Sequence, residues 1–330
     1  MIKVHWLGFS MAALALGVVV LLVGCAPAVT PTPTLSPLAS PDIALSPLTT
    51  PAPMDSTSVW PAGRVVYHSD MAGLMSFQIY KVVDGGDPVK LSPAGAVDVS
   101  PRWSFDGTML VFASYIDDMR TNQHIFTMAA DGSGRTALPV DQPRLNWRPS
   151  LSPDGMQVLF ISNRDGNFEI YKANLDGSVL VNLTNTSAYG ERDPDWSPDG
   201  RQIVFVSDAS GGNGLYVMDA DGGNIRQLLD GAWRCSFPNW SPDGEKIAFT
   251  ARVAGTDHIH IINADGSDVL QVTSRVPDNV MPAWVGNDRL LFSGSDGGEI
   301  WNLFMINIDG TGLVQLTDTP YSERYPQWHP

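Results

Sequence analysis

Pro194-Asp195-Trp196-Ser197-Pro198-Asp199-Gly200 leads into the alternating run Gln202-Ile203-Val204-Phe205-Val206-Ser207, a Gly/Asn-rich break, Leu215-Tyr216-Val217-Met218, the dipeptide Asp221-Gly222 and Gln227-Leu228-Leu229. Four short apolar runs separated by turn residues read as four β-strands. In Ser197-Pro198-Asp199-Gly200 the Pro presets φ for the second position of a type I turn, and the Gly supplies the left-handed conformation that closes a three-residue hairpin. Helical repeats would need amphipathic segments of about ten residues, and Gly and Pro interrupt the chain too often for that.

The unit recurs. Pro101, Pro149, Pro194, Pro238, Pro282 and Pro326 follow one another at intervals of 48, 45, 44, 44 and 44 residues, and Trp stands two positions after each Pro except Pro149, where Leu151 takes the place. Asp84-Gly85, Asp131-Gly132, Asp176-Gly177, Asp221-Gly222, Asp265-Gly266 and Asp309-Gly310 keep step with them. A period of about 44 residues with four strands per unit matches one blade of a β-propeller. Before Pro101 the chain supplies Val65–His68, Ile79–Val83 and Val89–Leu91, three strands without a first; after Tyr325 it supplies Pro326-Gln327-Trp328, a first strand without the rest. The fold expected is all-β: a six-bladed propeller of four-stranded antiparallel blades over residues 64–330, closed by pairing of the C-terminal strand with the N-terminal blade.

The segments Pro194 to Phe205 and Pro238 to Phe249, with Pro-x-Trp-Ser-Pro-Asp-Gly ahead of an Ile-x-Phe strand and an Asp-Gly further on, resemble the propeller of TolB-like proteins. The resemblance covers roughly residues 64 to 330 and implies a WD-like repeat ring with protein partners. TolB proteins carry an N-terminal α/β domain before the ring, and no counterpart is expected here.

Lys3 precedes an apolar stretch from Trp6 to Val23, and Leu22-Val23-Gly24-Cys25 matches the bacterial lipobox. Residues 1–24 therefore read as a lipoprotein signal peptide that leaves a lipidated Cys25; an uncleaved membrane anchor is the other reading of the same run. Both place the ring outside the cytoplasm, in the periplasm or at the cell surface. Residues 25–63 are rich in Pro, Thr and Ser with few charges, a composition that buries too little to fold and reads as a disordered tether.

Thirty-five carboxylates against 20 Lys and Arg exclude a nucleic-acid partner. With Cys25 lipidated, Cys235 has no intramolecular disulfide partner and reads as a buried thiol. No nucleophile elbow, zincin helix, phosphate loop or paired Cys ligands appear. His258 and His260 alternate on one strand, but they fall in the repeat slots of Glu169 and Tyr171, which makes them ordinary blade positions rather than a metal pair. Oxygen-rich turns at Asn163–Glu169 and Asp296–Glu299 could hold Ca²⁺, although their spacing falls short of a calcium loop and self-capping explains them. No cofactor and no catalytic residue is assigned.

The connections from the last strand of one blade to the first of the next must emerge on one face around the central opening. They carry Trp147, Arg148, Tyr189, Arg192, Trp233, Arg234, Arg275, Tyr321, Arg324 and Tyr325. Arg and aromatics are the residue types of binding hot spots. The expectation is a monomeric, non-catalytic, membrane-tethered binding or scaffold protein that recognises an envelope protein; the alternative is a propeller that binds or cleaves an anionic glycan.

Overall fold

In the computed structural model, the described residues are 59–71, 76–117, 121–140, 145–274 and 276–330, and all lie in one compact unit. They form six four-stranded antiparallel sheets. The first contains β1 (Arg64–Ser69), β2 (Gln78–Val83) and β3 (Val89–Lys90), and its innermost strand is β24 (Glu323–His329). The second runs β4 (Val97–Trp103), β5 (Met109–Tyr115), β6 (Gln123–Ala129), β7 (Thr136–Ala137); the third β8 (Asn146–Leu151), β9 (Gln157–Ser162), β10 (Glu169–Asn174), β11 (Val181–Asn182). The fourth is β12 (Glu191–Trp196), β13 (Gln202–Ser207), β14 (Gly214–Asp219), β15 (Arg226–Leu229); the fifth β16 (Ser236–Trp240), β17 (Lys246–Val253), β18 (Thr256–Asn263), β19 (Leu270–Gln271). The sixth is β20 (Asp278–Val285), β21 (Arg289–Ser295), β22 (Asn302–Asn307), β23 (Val314–Gln315). Both the blade number and the closure expected from the repeat are present: Val65 pairs with Trp328 and Ser69 with Glu323.

The sequence pattern explains the blades. The central aromatic of each second strand, Tyr67, Phe112, Phe160, Phe205, Phe249 or Phe292, lies opposite Tyr80, Phe126, Tyr171, Tyr216, His260 or Phe304 on the third, with ring centroids 5.5 to 6.0 Å apart. Such cross-strand stacks contribute about 0.5–1.5 kcal/mol each beyond the area they bury. His260 therefore occupies an aromatic slot, as its repeat position implies. Trp103, Trp196, Trp240 and Trp284 are buried in the same blade-to-blade layer as Leu151.

Each inner strand hides one irregularity. Its register slips by a residue just before the repeat Pro, and Ser100, Arg148, Asp193, Phe237, Met281 and Tyr325 take φ between +52° and +62°. A left-handed L-residue costs about 1–2 kcal/mol. The regular ladders on either side hold six such β-bulges at one level, where the six residues encircle the axis.

Candidate recognition surface

The bulged residues nearly close the central channel. Arg148 ion-pairs with Asp193 at 3.3 Å and lies 4.3 Å from the ring centroid of Phe237 and 4.7 Å from that of Tyr325. Phe237 and Tyr325 meet edge to face, and the Phe237 amide donates to Asp193 Oδ2 at 3.1 Å. Only about 20 Å³ stays open among these side chains. Beside them the Ser100 amide donates to His68 Nδ1, and burial together with Arg324 and Arg148 lowers the pKa of His68 to about 3. The channel is thus two blind mouths with a plug between them.

On one side open the short turns between first and second strands. Here a cavity of about 390 Å³ is ringed by Trp103, Trp196, Trp240, Trp284 and Trp328. Its polar floor is Asp195, which accepts from Arg102 Nη1 at 2.6 Å, Ser150 Oγ at 3.0 Å, Asn239 Nδ2 at 2.9 Å and the Trp240 amide at 3.0 Å. The chain enters the ring on this side, with Ala62 O accepting from Trp328 Nε1 at 2.8 Å. Sequence reasoning placed these tryptophans in the core and overlooked that their inner edges line a funnel. The signal was available: Arg102, Ser150, Asp195, Asn239 and Gln327 share one repeat slot, a polar residue between Pro and its Trp or Leu in five of six repeats, with Ala283 the exception.

The opposite, loop-bearing side holds most of the expected recognition residues, and the structure sorts them. Tyr189 and Tyr321 are exposed at 43% and 38%. Arg234 is exposed and caps a 3-10 helix, Gly231–Trp233, in a left-handed conformation, while Trp233 packs edge-on against His260. Trp147 is half-buried against Phe168 at 5.6 Å. Arg148 and Tyr325 are brought together inside the plug rather than on the rim. Arg192 and Arg324 are half-buried, each with a buried Nε that lacks a hydrogen-bond partner. Arg324 lies 4.8 Å from the Trp301 ring, and burial lowers its pKa. Whereas Arg102, Arg135 and Arg148 form ion pairs with Asp195, Asp98 and Asp193, neither Arg192 nor Arg324 does so with any described residue. Arg275 and Cys25 lie outside the described residues.

A feature the sequence reading missed lies between the third and fourth blades. Glu169 accepts from Asn167 Nδ2 at 2.7 Å and the Thr186 amide at 2.9 Å, and Glu191 accepts from Ser207 Oγ at 3.1 Å and Thr186 Oγ1 at 3.2 Å. Burial and the neighbouring Glu169 raise the pKa of Glu191 to about 7. In the oxygen-rich turn considered for Ca²⁺, oxygens are engaged by neighbouring donors: Asp165, though exposed, accepts from the Tyr171 hydroxyl and Asn182 Nδ2, and Asn163 Oδ1 accepts from the Leu145 amide. Among the described residues no three His, Cys, Asp or Glu side chains are placed to share a metal ion. Cys235 is a buried free thiol whose pKa burial pushes up.

Six blades, a strand-exchange clasp and a plugged channel define a closed β-propeller with two differently built mouths. The TolB beta propeller domain family matches residues 134–330, and the chain belongs to that family. An uncharacterized protein of Agrobacterium fabrum, Atu1656, is 32% identical over 134 residues, 41% of this chain and 44% of that protein, so the match spans less than half of either. Among solved structures, TolB from Acinetobacter baumannii superposes with a TM-score of 0.71 at 23% identity, over 81% of this chain and 66% of that one. A putative TolB from Agrobacterium tumefaciens gives 0.63 at 18% identity, over 82% and 99%. These two share the fold. No helix among the described residues is long and apolar enough to cross a membrane.

Proposed function

We propose that this chain is a non-catalytic binding protein, held outside the cytoplasm by lipid on Cys25 and the Pro/Thr/Ser-rich tether, that recognises an acidic segment of an envelope protein with its loop-bearing face. Family membership supports a protein-binding scaffold at the general level. The observation that carries the finer reading is the pair Arg192 and Arg324. They are partly desolvated guanidinium groups without ion pairs, on a chain of net charge −15. A cation already stripped of part of its water and held in no ion pair gains most from an anionic partner, since the desolvation cost is partly met before binding. Tyr189 and Tyr321 flank the same mouth as exposed aromatic contacts.

The test is a titration of an acidic peptide, and separately of a uronate oligomer, against the full chain and against Arg192→Ala/Arg324→Ala. Peptide binding weakened by about tenfold or more in the double variant supports the reading. Equal affinity in both proteins overturns it, and saturable binding or turnover of the uronate alone would transfer the site to the glycan alternative.

A further inference from the structure

In the second blade a guanidinium is built into the structure. Arg135 lies 3.9 Å from the ring centroid of Phe126 and 5.6 Å from that of Phe112, and its Nη2 donates to Asp98 Oδ1 at 2.9 Å and Ser114 Oγ at 2.7 Å. The third blade repeats the arrangement from a different point in the chain. Arg164 lies 4.5 Å from the Tyr171 centroid and 5.6 Å from that of Phe160, and it donates to Asn146 Oδ1 at 3.1 Å and Ser162 Oγ at 3.0 Å. An aromatic pair and a polar oxygen on the inner strand therefore make a guanidinium cradle in this fold, and an amide serves there as well as a carboxylate.

The sixth blade has the cradle without the guanidinium. Phe292 and Phe304 stack at 5.5 Å, and Asn279 stands three residues before its Pro, where Asp98 and Asn146 stand before theirs. Leu313, three residues after Gly310, takes the position that Arg135 holds after Gly132. Gly294 pairs with Asn279 where Ser114 pairs with Asp98. Val272 on the neighbouring blade is shorter than Leu91, Leu138, Leu183 or Leu316 at the same distance from their Asp-Gly turns. Val272 and Leu313 border a cavity of about 370 Å³ together with Phe292, Ile306 and Asn279; Gly294 adds no room to it, because Phe304 and Val276 already lie within 3.2 Å of where its Cβ would stand. Asn279 is fully buried, yet its Oδ1 has no hydrogen-bond partner, and a buried acceptor left unmade is costly.

We propose that this cavity binds a small alkylguanidinium compound, with the planar cation against Phe292 and Asn279 Oδ1 and its aliphatic stem along Val272, Ile306 and Leu313. The cavity has the volume of a small-molecule site. It lies between blades, apart from the plugged channel, and adjoins the exposed Thr311 and Gly312. The proposal is independent of the recognition reading above, which uses other residues.

Agmatine is the probe, titrated by calorimetry into the full chain, with n-butylamine as the stem without a guanidinium. The expected result is saturable 1:1 binding of agmatine, about tenfold weaker binding of n-butylamine, and tighter agmatine binding in Asn279→Asp. Leu313→Arg supplies the tethered side chain found in the second blade and should abolish agmatine binding while raising the melting temperature. No saturable binding at millimolar agmatine overturns the proposal, as does unchanged affinity in a folded Leu313→Arg protein. Binding that emerges only in Arg275→Ala would assign the cavity to the chain's own side chain and overturn it equally.

Discussion

The two rims of the ring are built to different rules. On the turn side, Ser104, Ser152, Ser197 and Ser241 each donate Oγ to the Asp two residues on at 2.6 Å, and each accepts from an amide five residues on at 2.9 Å. The Asp-Gly turns beside them accept from the residue two further on at 2.9 Å in blade after blade. On the loop side the described residues differ more from blade to blade: one connection holds a 3-10 helix, one adjoins a buried pair of glutamates, one an arginine over Trp301. The turn side is under the same structural requirements in four or five of the six blades, and the loop side is where the chain is freer to differ. The proposed recognition face falls where the repeat stops dictating residues.

Substitutions can break that contrast, beginning with the most severe. Asp195→Ala removes a buried carboxylate that serves Arg102, Ser150, Asn239 and Trp240 and leaves the guanidinium of Arg102 unpaired. A loss of about 3–5 kcal/mol is expected in chemical denaturation. Next in size is Glu191→Gln. A folded pKa raised to about 7 means that the native state holds the proton more tightly than the unfolded chain, so this group's stabilisation is complete at acid pH and is lost as pH rises through 7. The amide should therefore raise the melting temperature at pH 8 by roughly 2–4 °C and leave it nearly unchanged at pH 4.5.

Smaller still are the turn caps. Ser→Ala at 104, 152, 197 or 241 should cost about 1 kcal/mol at each position, and equal values would confirm that the four turns are interchangeable. Unequal costs would show that the turn side is less uniform than its hydrogen bonds. The least effect on stability is expected for Arg192→Ala/Arg324→Ala, within about 0.5 kcal/mol. A large loss there would mean that these arginines hold the ring together.

The same contrast explains what could be read in advance. Blade number, the clasp and the tryptophan layer follow from Pro, Trp and Asp-Gly spacing, because backbone and packing demands fall on one position in every unit. His260 could be placed beside Tyr171 by counting alone. The bulge ring could not, since its six left-handed positions are held by Ser, Arg, Asp, Phe, Met and Tyr with no Gly to mark them. Arg148 and Tyr325 were therefore expected on a rim and sit in the plug. The Glu169–Glu191 pair also escaped notice, because its members come from adjacent blades 22 residues apart in sequence and meet only when the ring is assembled.

The clasp has a mechanical consequence. β1 is flanked by β2 on one side and β24 on the other, so the first strand of the ring is an interior strand of its sheet. Tension entering through residue 63 along β1 would load two hydrogen-bonded ladders in shear at once, instead of peeling a free edge bond by bond. The strand that receives a pull from the N-terminus is thereby among the hardest to draw out.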